Sequence, residues 1–297
     1  MVDTEDWYIP LDIVFITSLV TAILFSVFFL TIIMIEKTCH TIPMMLTANL
    51  CLGELIFAFS MLGIAVLTLE NDLKQIQYQN SFCIVYPYLA YTGSALMHYA
   101  VLLQALYRYI SVVYPTHLFW QSARCQFILI CLAWIISFVC SLEFLLRGEI
   151  IYNVDNQACF IPFGFSFSIN YMIFTVYLFP FSILIFIYIK LVRYVKKMSR
   201  RAMSAFTLSR ARRQLILVRR TVILVMILLA FGIPYVILVI ISFFTALPKY
   251  YFRIACISLN LSLVPLMLAL FQFTDPIKAA VMKRIERRPN GIVAPIA

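Results

Sequence analysis

Seven long apolar runs, separated by short polar stretches, dominate the pattern along the chain. Each run holds at least 18 residues with almost no charge, and about 20 apolar residues at 1.5 Å rise cross a hydrocarbon layer of about 30 Å as a helix. The strands of a membrane barrel would alternate in polarity, and no run does so. The pattern therefore predicts seven membrane-spanning helices, over residues 13–35, 41–69, 82–106, 125–142, 165–189, 221–247 and 254–274.

The polar stretches between the runs are too short to hold a separate soluble domain. The predicted fold is an all-α, seven-transmembrane helix bundle, followed by a short amphipathic helix in the basic segment IKAAVMKRIERR. We expect an extracellular N-terminus over residues 1–12, the bundle over 13–276, and a cytoplasmic helix and tail over 277–297. The two halves show no repeat with matched broken helices, which counts against a secondary transporter.

The composition agrees with a membrane protein. Residues of the types AVILMFWYC make up 64% of the chain and charged residues 12%, whereas about 25% of the residues in soluble domains are charged. The mean hydropathy is +0.98. These values exclude a soluble fold, a disordered chain and collagen. They also exclude nucleic-acid binding as the explanation of the net charge of +10.

The basic residues fall mostly on one side of the predicted bundle. With the amino terminus outside, 19 of the 23 Lys and Arg residues lie on the inner side and nine of the 13 acids on the outer side. Because Lys and Arg concentrate in cytoplasmic loops, this split predicts a multi-pass plasma-membrane protein with an extracellular N-terminus. The inner basic face should attract anionic lipids. The first twelve residues hold no Lys or Arg, so no cleavable signal peptide is expected.

Eight cysteines are too few for a disulfide scaffold and form no C-x-x-C pair. Only Cys83 and Cys159 fall on the predicted outer side, where conditions are oxidising. We predict a disulfide between them that pins a long outer loop across the helix ends; the alternative is two unpaired thiols. The three histidines are too scattered for a metal site, and no H-E-x-x-H or G-x-S-x-G motif occurs. No enzyme activity is expected.

The third predicted helix ends in LYRYISVVYP, with Arg108 25 positions after Cys83. A guanidinium at the membrane edge is costly and must be paired, snorkelling or functional. The segment resembles the Asp-Arg-Tyr region of rhodopsin-like (class A) G-protein-coupled receptors. Further matches to that family follow in order: Asn49-Leu50 with Glu54, Trp134, Pro180 with Tyr188, Pro234-Tyr235, and Asp275-Pro276.

The resemblance implies a receptor that binds an extracellular ligand and activates a heterotrimeric G protein. It assigns G-protein coupling to Arg108, Tyr109 and Tyr188, and helix switching to Pro180, Pro234 and Pro276.

The chain also departs from the family pattern. Tyr107 and Gln214 stand where the family often has acids that hold the arginine in the inactive state, Gly232 replaces the tryptophan of the sixth helix, and Ala279 replaces the last tyrosine of the seventh-helix motif. We therefore expect a weak inner latch and raised basal activity.

Glu54 and Asp275 are the acids expected deep in the bundle. A carboxylate at mid-membrane costs about 2.5 to 3.5 kcal/mol, so each should be protonated, paired or bound to a cation. By resemblance the two form a buried sodium or proton site, although Met97 replaces the usual serine contributor. A purely structural hydrogen-bonded pair is the alternative. No other cofactor is expected.

The ligand pocket implied by the resemblance lies at the outer ends of the third, fifth, sixth and seventh helices. Ala90 stands where amine receptors carry an aspartate, and residues 254–274 contain no lysine for a retinal Schiff base. The aromatic wall and the outer acids favour a peptide ligand, although tyrosines also form the interfacial belt of any membrane protein. The expected pocket residues are Tyr86, Tyr91, Ser94, Tyr171, Met172, Tyr235, Val239 and Arg253.

A seven-helix transporter or channel is the alternative function. It would need a continuous polar path along the bundle, which only Glu54 and Asp275, together with scattered Ser, Thr and Gln residues, could line.

Overall fold

The computed structural model describes residues 8–74, 82–200, 205–247 and 251–286, which are almost wholly helical. A 3-10 turn, Lys37–Cys39, follows the first helix, and a π-helical segment, Ile173–Leu178, interrupts the fifth span. The α-helices are α1 (Tyr8–Ile35), α2 (Ile42–Lys74), α3 (Val85–Val113), α4 (Ala123–Leu146), α5 (Phe167–Met172), α6 (Phe179–Arg200), α7 (Ala205–Ser242), α8 (Tyr251–Leu261), α9 (Leu263–Phe273) and α10 (Asp275–Glu286).

Each predicted span coincides with helix in the described ranges. α1 to α4, the continuous segment from α5 to α6, and the pair α8 and α9 give six segments long and apolar enough to cross a membrane. α7 adds an apolar stretch, Leu229–Ser242, and begins at Ala205, well before the predicted start at residue 221. The predicted all-α bundle is confirmed.

α3 lies at the centre of the bundle, where it contacts α2, α4, α6 and α7, while α1 packs against α2, α8 and α9. The approach of α3 to α2 depends on Gly93, because a Cβ there would lie 2.6 Å from the backbone nitrogen of Phe57. Small residues let transmembrane helices approach this closely. α4 is tied to α2 by Trp134, whose Nε1 donates to Asn49 Oδ1 over 2.7 Å.

Proline explains two of the irregularities in the spans. The N–H of Phe179 donates to the carbonyl of Phe174, five residues back, directly before Pro180, which has no N–H to donate. The seventh span breaks at Ser262 between α8 and α9, because Pro265 cannot donate to the carbonyl four residues earlier.

The seventh span ends before Asp275-Pro276. Thr274 has non-helical angles (φ −105°, ψ 85°), and α10 begins at Asp275. Pro276 therefore lies in the first turn of α10, where its missing N–H costs no hydrogen bond. The switch role that the resemblance assigns to Pro276 stays a prediction, and Pro265 is the proline inside the span, as the apolar pattern predicts.

The loop between α4 and α5 folds over one end of the bundle as a hairpin. Strands β1 (Ile151–Asn153) and β2 (Ala158–Phe160) pair antiparallel, with Ile151 opposite Phe160. Cys159 in β2 forms a disulfide with Cys83 before α3, which confirms the predicted pairing. We call this end of the bundle the disulfide end, and the opposite end of α3 the Arg108 end.

Candidate functional site

The Arg108 end brings together the residues predicted to couple to a G protein. Arg108 is half-buried near the end of α3. Tyr109 of α3 and Tyr188 of α6 pack against one small apolar cluster formed by Val112, Leu191 and Val195. α3 and α6 thus present two of the three predicted coupling residues side by side.

Arg220 of α7 is a residue at this end that the sequence did not single out. Its Nη1 donates to the carbonyl of Phe273 over 3.0 Å and lies 3.6 Å from Asp275 Oδ2. Its charge is also close enough to Arg108 for the two guanidinium groups to repel. Arg220 therefore ties α7 to the junction of α9 and α10. The side chain of Gln214 lies outside the described residues.

Glu54 and Asp275 occupy different environments. Glu54 is fully buried in α2, and neither carboxyl oxygen has a hydrogen-bond partner among the described residues. The Asp275 side chain is 65% exposed and pairs with Arg220. The expectation that both acids lie deep in the bundle is wrong for Asp275, because the seventh span ends before it. Of these two acids, Glu54 alone has the burial expected of an ion or proton site.

Five of the eight predicted pocket residues converge at the disulfide end. They belong to one apolar cluster between α3, the fifth span and α7, and they are Tyr91, Tyr171, Met172, Tyr235 and Val239. Ser94 lies beside them, since its side chain hydrogen-bonds Tyr177 of the same cluster.

Tyr86 lies apart from this cluster and faces α2. Its ring lies against Gly63, where an added Cβ would come within 2.7 Å of the ring. It lines a narrow cleft beside the disulfide together with Tyr152 of the hairpin. Burial and the negative charge of Asp72 raise the pKa of the Tyr152 phenol.

Arg253 is buried in a polar cluster of the protein itself. Its Nη1 lies 2.6 Å from Asp72 Oδ2 and 3.2 Å from Asp12 Oδ2, and its Nη2 donates to the carbonyl of Asn156 over 3.5 Å. Arg253 therefore joins α8 to α1, α2 and the hairpin. Sequence reasoning missed Asp12 and Asp72 as partners; their one signal was the excess of acids on the predicted outer side.

The loop itself fills the space between the pocket walls. The N–H of Ile161 donates to the Tyr91 hydroxyl over 3.2 Å, and the Phe163 ring packs edge-on against Tyr235 at 4.9 Å. Phe160 stacks on Phe252 with ring centroids 3.8 Å apart. The two narrow clefts nearby leave room for little more than a water molecule each. The sequence signal for these contacts was FIPF directly after Cys159.

Comparison with known proteins identifies relatives by family and by fold. The family described as "7 transmembrane receptor (rhodopsin family)" matches residues 25–276. The crystal structure of squid rhodopsin is similar to this chain with a TM-score of 0.78 at 16% sequence identity, over 95% of this chain and 86% of that one. At this identity the likeness shows the fold alone. No curated protein sequence matches the chain significantly.

Proposed function

The chain belongs to the rhodopsin family of seven-transmembrane receptors, and we propose that it binds an extracellular peptide and activates a heterotrimeric G protein. Members of this family are multi-pass membrane proteins that signal and are not enzymes. An extracellular ligand and a G-protein partner follow from the family.

The peptide assignment rests on the contacts that the pocket walls make with the protein's own loop. Tyr91 accepts a hydrogen bond from a backbone N–H, and Tyr235 packs against a phenylalanine ring. Both contacts are available to the backbone and aromatic side chains of a peptide ligand. Ala90, buried in α3, offers no carboxylate to an amine.

We assign the disulfide end to the extracellular side and the Arg108 end to the cytoplasm. A disulfide persists in an oxidising compartment, and the basic residues of α6, α7 and α10 lie towards the other end. In this orientation Arg108, Tyr109 and Tyr188 face the G protein, and the basic residues can also contact anionic lipids.

α7 connects the two ends mechanically. It carries Tyr235 and Val239 in the pocket cluster and Arg220 at the Arg108 end. A ligand that binds one packing of α7 better than another shifts the population towards that packing. Pro234, inside α7, is the point where the helix can bend.

The described residues give the transporter or channel alternative little support. Its two acids do not lie along one route, because Glu54 is buried in α2 while Asp275 is exposed and paired with Arg220.

The test is nucleotide exchange by a purified G protein with the receptor in lipid nanodiscs, screened against a peptide library. We expect peptide-dependent exchange that is lost in Arg108→Ala and retained in Arg124→Ala, which removes an exposed basic residue of α4. Activation by non-peptide compounds alone would refute the peptide assignment. Ion current across the membrane without any nucleotide exchange would refute the receptor mechanism.

A further inference from the structure

Residues 156–163 lie between α3, α7 and α8. Asn156, Ala158, Phe160 and Ile161 are each 5% exposed or less, although they belong to a loop. Together with Phe163 they contact Tyr91, Tyr235 and Phe252 of the bundle. The loop segment is therefore packed as a core element.

Asn156 fixes one end of this segment to α8. Its side-chain oxygen accepts the N–H of Phe252 over 3.1 Å, and its carbonyl accepts from Arg253. Its own N–H and Nδ2 donate to Asn153 Oδ1 over 3.0 and 2.9 Å. Since Arg253 is held by Asp12 and Asp72, the contact reaches α1 and α2.

We propose that residues 156–163 are a built-in occupant of the ligand pocket, clasped by Asn156 and Arg253, and that an external ligand binds by displacing them. The identification of this space as a ligand pocket and the displacement both rest on the proposed function; the packing of residues 156–163 against Tyr91, Tyr235 and Phe252 does not. The disulfide at Cys159 keeps the segment beside the pocket after it leaves, so it competes as an intramolecular ligand at high effective concentration.

The contacts of residues 156–163 also indicate the chemistry of an external ligand that would displace them. A ligand that takes its place must offer an N–H to Tyr91 and aromatic surface to Tyr235 and Phe252. A peptide with two aromatic residues meets these needs. Its apparent affinity is reduced by the small fraction of receptors in which the segment is displaced.

Cys256 reports whether the segment is in place. It is an unpaired thiol in α8, 5% exposed, and lines the cleft that Asn156 and Ala158 cover. A charged, water-borne methanethiosulfonate reagent reaches it only when the segment opens. Labelling of a protected group then follows the population of the open state.

The experiment measures Cys256 modification by mass spectrometry on the purified receptor in nanodiscs, without peptide or G protein. We expect slow labelling in the wild type and labelling about tenfold faster in Asn156→Ala, the effect of losing roughly one net hydrogen bond. Phe160→Leu, which keeps an apolar side chain but loses the ring stack, should also accelerate labelling. Val154→Ala, at an exposed position of the same hairpin turn, should match the wild type.

Two results would overturn the proposal. Wild-type labelling as fast as in denatured protein, or equal rates in wild type, Asn156→Ala and Phe160→Leu, would show that the segment does not cover the pocket. For the displacement half, Asn156→Ala should lower the half-maximal concentration of an activating peptide about tenfold at unchanged maximum exchange. Faster labelling of Cys256 without that shift would support the packing of the segment in the pocket but refute its displacement by the ligand. Absence of any nucleotide exchange would refute the proposed function alone.

Discussion

Glu54 is the residue whose environment conflicts most with its charge. It is fully buried, and its carboxyl oxygens have no hydrogen-bond partner among the described residues. A lone carboxylate in this position costs about 2.5 to 3.5 kcal/mol, a cost that a bound proton or cation removes. With Asp275 exposed and Met97 in place of a serine, two of the oxygen donors that the resemblance implies for a cation site are missing. We therefore expect Glu54 to hold a proton.

The variant Glu54→Gln tests this expectation, because glutamine has the shape of a protonated glutamate. We expect its thermal unfolding midpoint to lie within about 2 °C of the wild type. Neither protein should respond to replacing potassium by sodium. Glu54→Lys, which buries a cation without a partner, should be strongly destabilised. A wild-type midpoint that rises with sodium, and does so only when Glu54 is present, would establish a cation site instead.

Sequence reasoning placed residues correctly where their side of the membrane was enough to decide the contact. Cys83 and Cys159 were predicted from sidedness and are bonded. Asp275 was placed wrongly, because the resemblance put it deep in the bundle although it directly follows the predicted span, and its side chain is exposed. Arg253 was predicted to face a ligand, yet it pairs with acids more than 180 residues away in the chain, and no sequence pattern encodes such a distance.

At the scale of single elements, the fifth span has a point where a backbone donor is missing. The N–H of Phe179 donates to the carbonyl of Phe174, five residues back, and the same spacing would pair the carbonyl of Thr175 with Pro180, which has no N–H. The hydroxyl of Tyr99 on α3 donates to the Thr175 carbonyl over 3.0 Å instead. The two helices are thus joined at the point where the span lacks a backbone donor.

The variant Tyr99→Phe removes this donor and should destabilise the receptor by about 0.6 to 1.7 kcal/mol. The measurement is thermal unfolding in detergent. Tyr88→Phe is a matched control on α3, because the Tyr88 hydroxyl makes only a long contact of 3.5 Å with the carbonyl of Phe138; it should cost less. In a double-mutant cycle, Pro180→Ala supplies an N–H and should reduce the cost of Tyr99→Phe. Strictly additive costs would contradict this account.

The helical spans themselves were predictable from hydropathy, since only a helix satisfies its backbone within a bilayer. The ends of the helices were harder to predict. α7 continues about four turns before its apolar run, because basic and polar residues extend a helix as well as apolar ones once it leaves the hydrocarbon. The break at Ser262 could have been inferred from Pro265, whereas the hairpin between α4 and α5 could not, because its packing depends on contacts with α8.

At the scale of the whole molecule, two sets of contacts hold α7 at its two ends. Near the disulfide end, Tyr235 packs against Phe163 of the loop. At the Arg108 end, Arg220 binds the Phe273 carbonyl and Asp275. The replacement of the family's acids by Tyr107 and Gln214 predicts a weak latch at Arg108. The Arg220 contacts are a restraint on α7 that the structure shows at this end.

The variant Arg220→Gln removes that restraint and should raise basal nucleotide exchange by the G protein. The ion pair is partly exposed, with side-chain accessibilities of 29% and 65%. The pair and the carbonyl hydrogen bond are together worth about 1 kcal/mol, which corresponds to a rise of roughly fivefold. Asp275→Asn should have a smaller effect, because the carbonyl hydrogen bond remains. Arg219→Gln, at the exposed neighbouring position, is the matched control. Equal basal exchange in wild type and Arg220→Gln, or an equal rise in Arg219→Gln, would show that the inward end of α7 is restrained by other contacts.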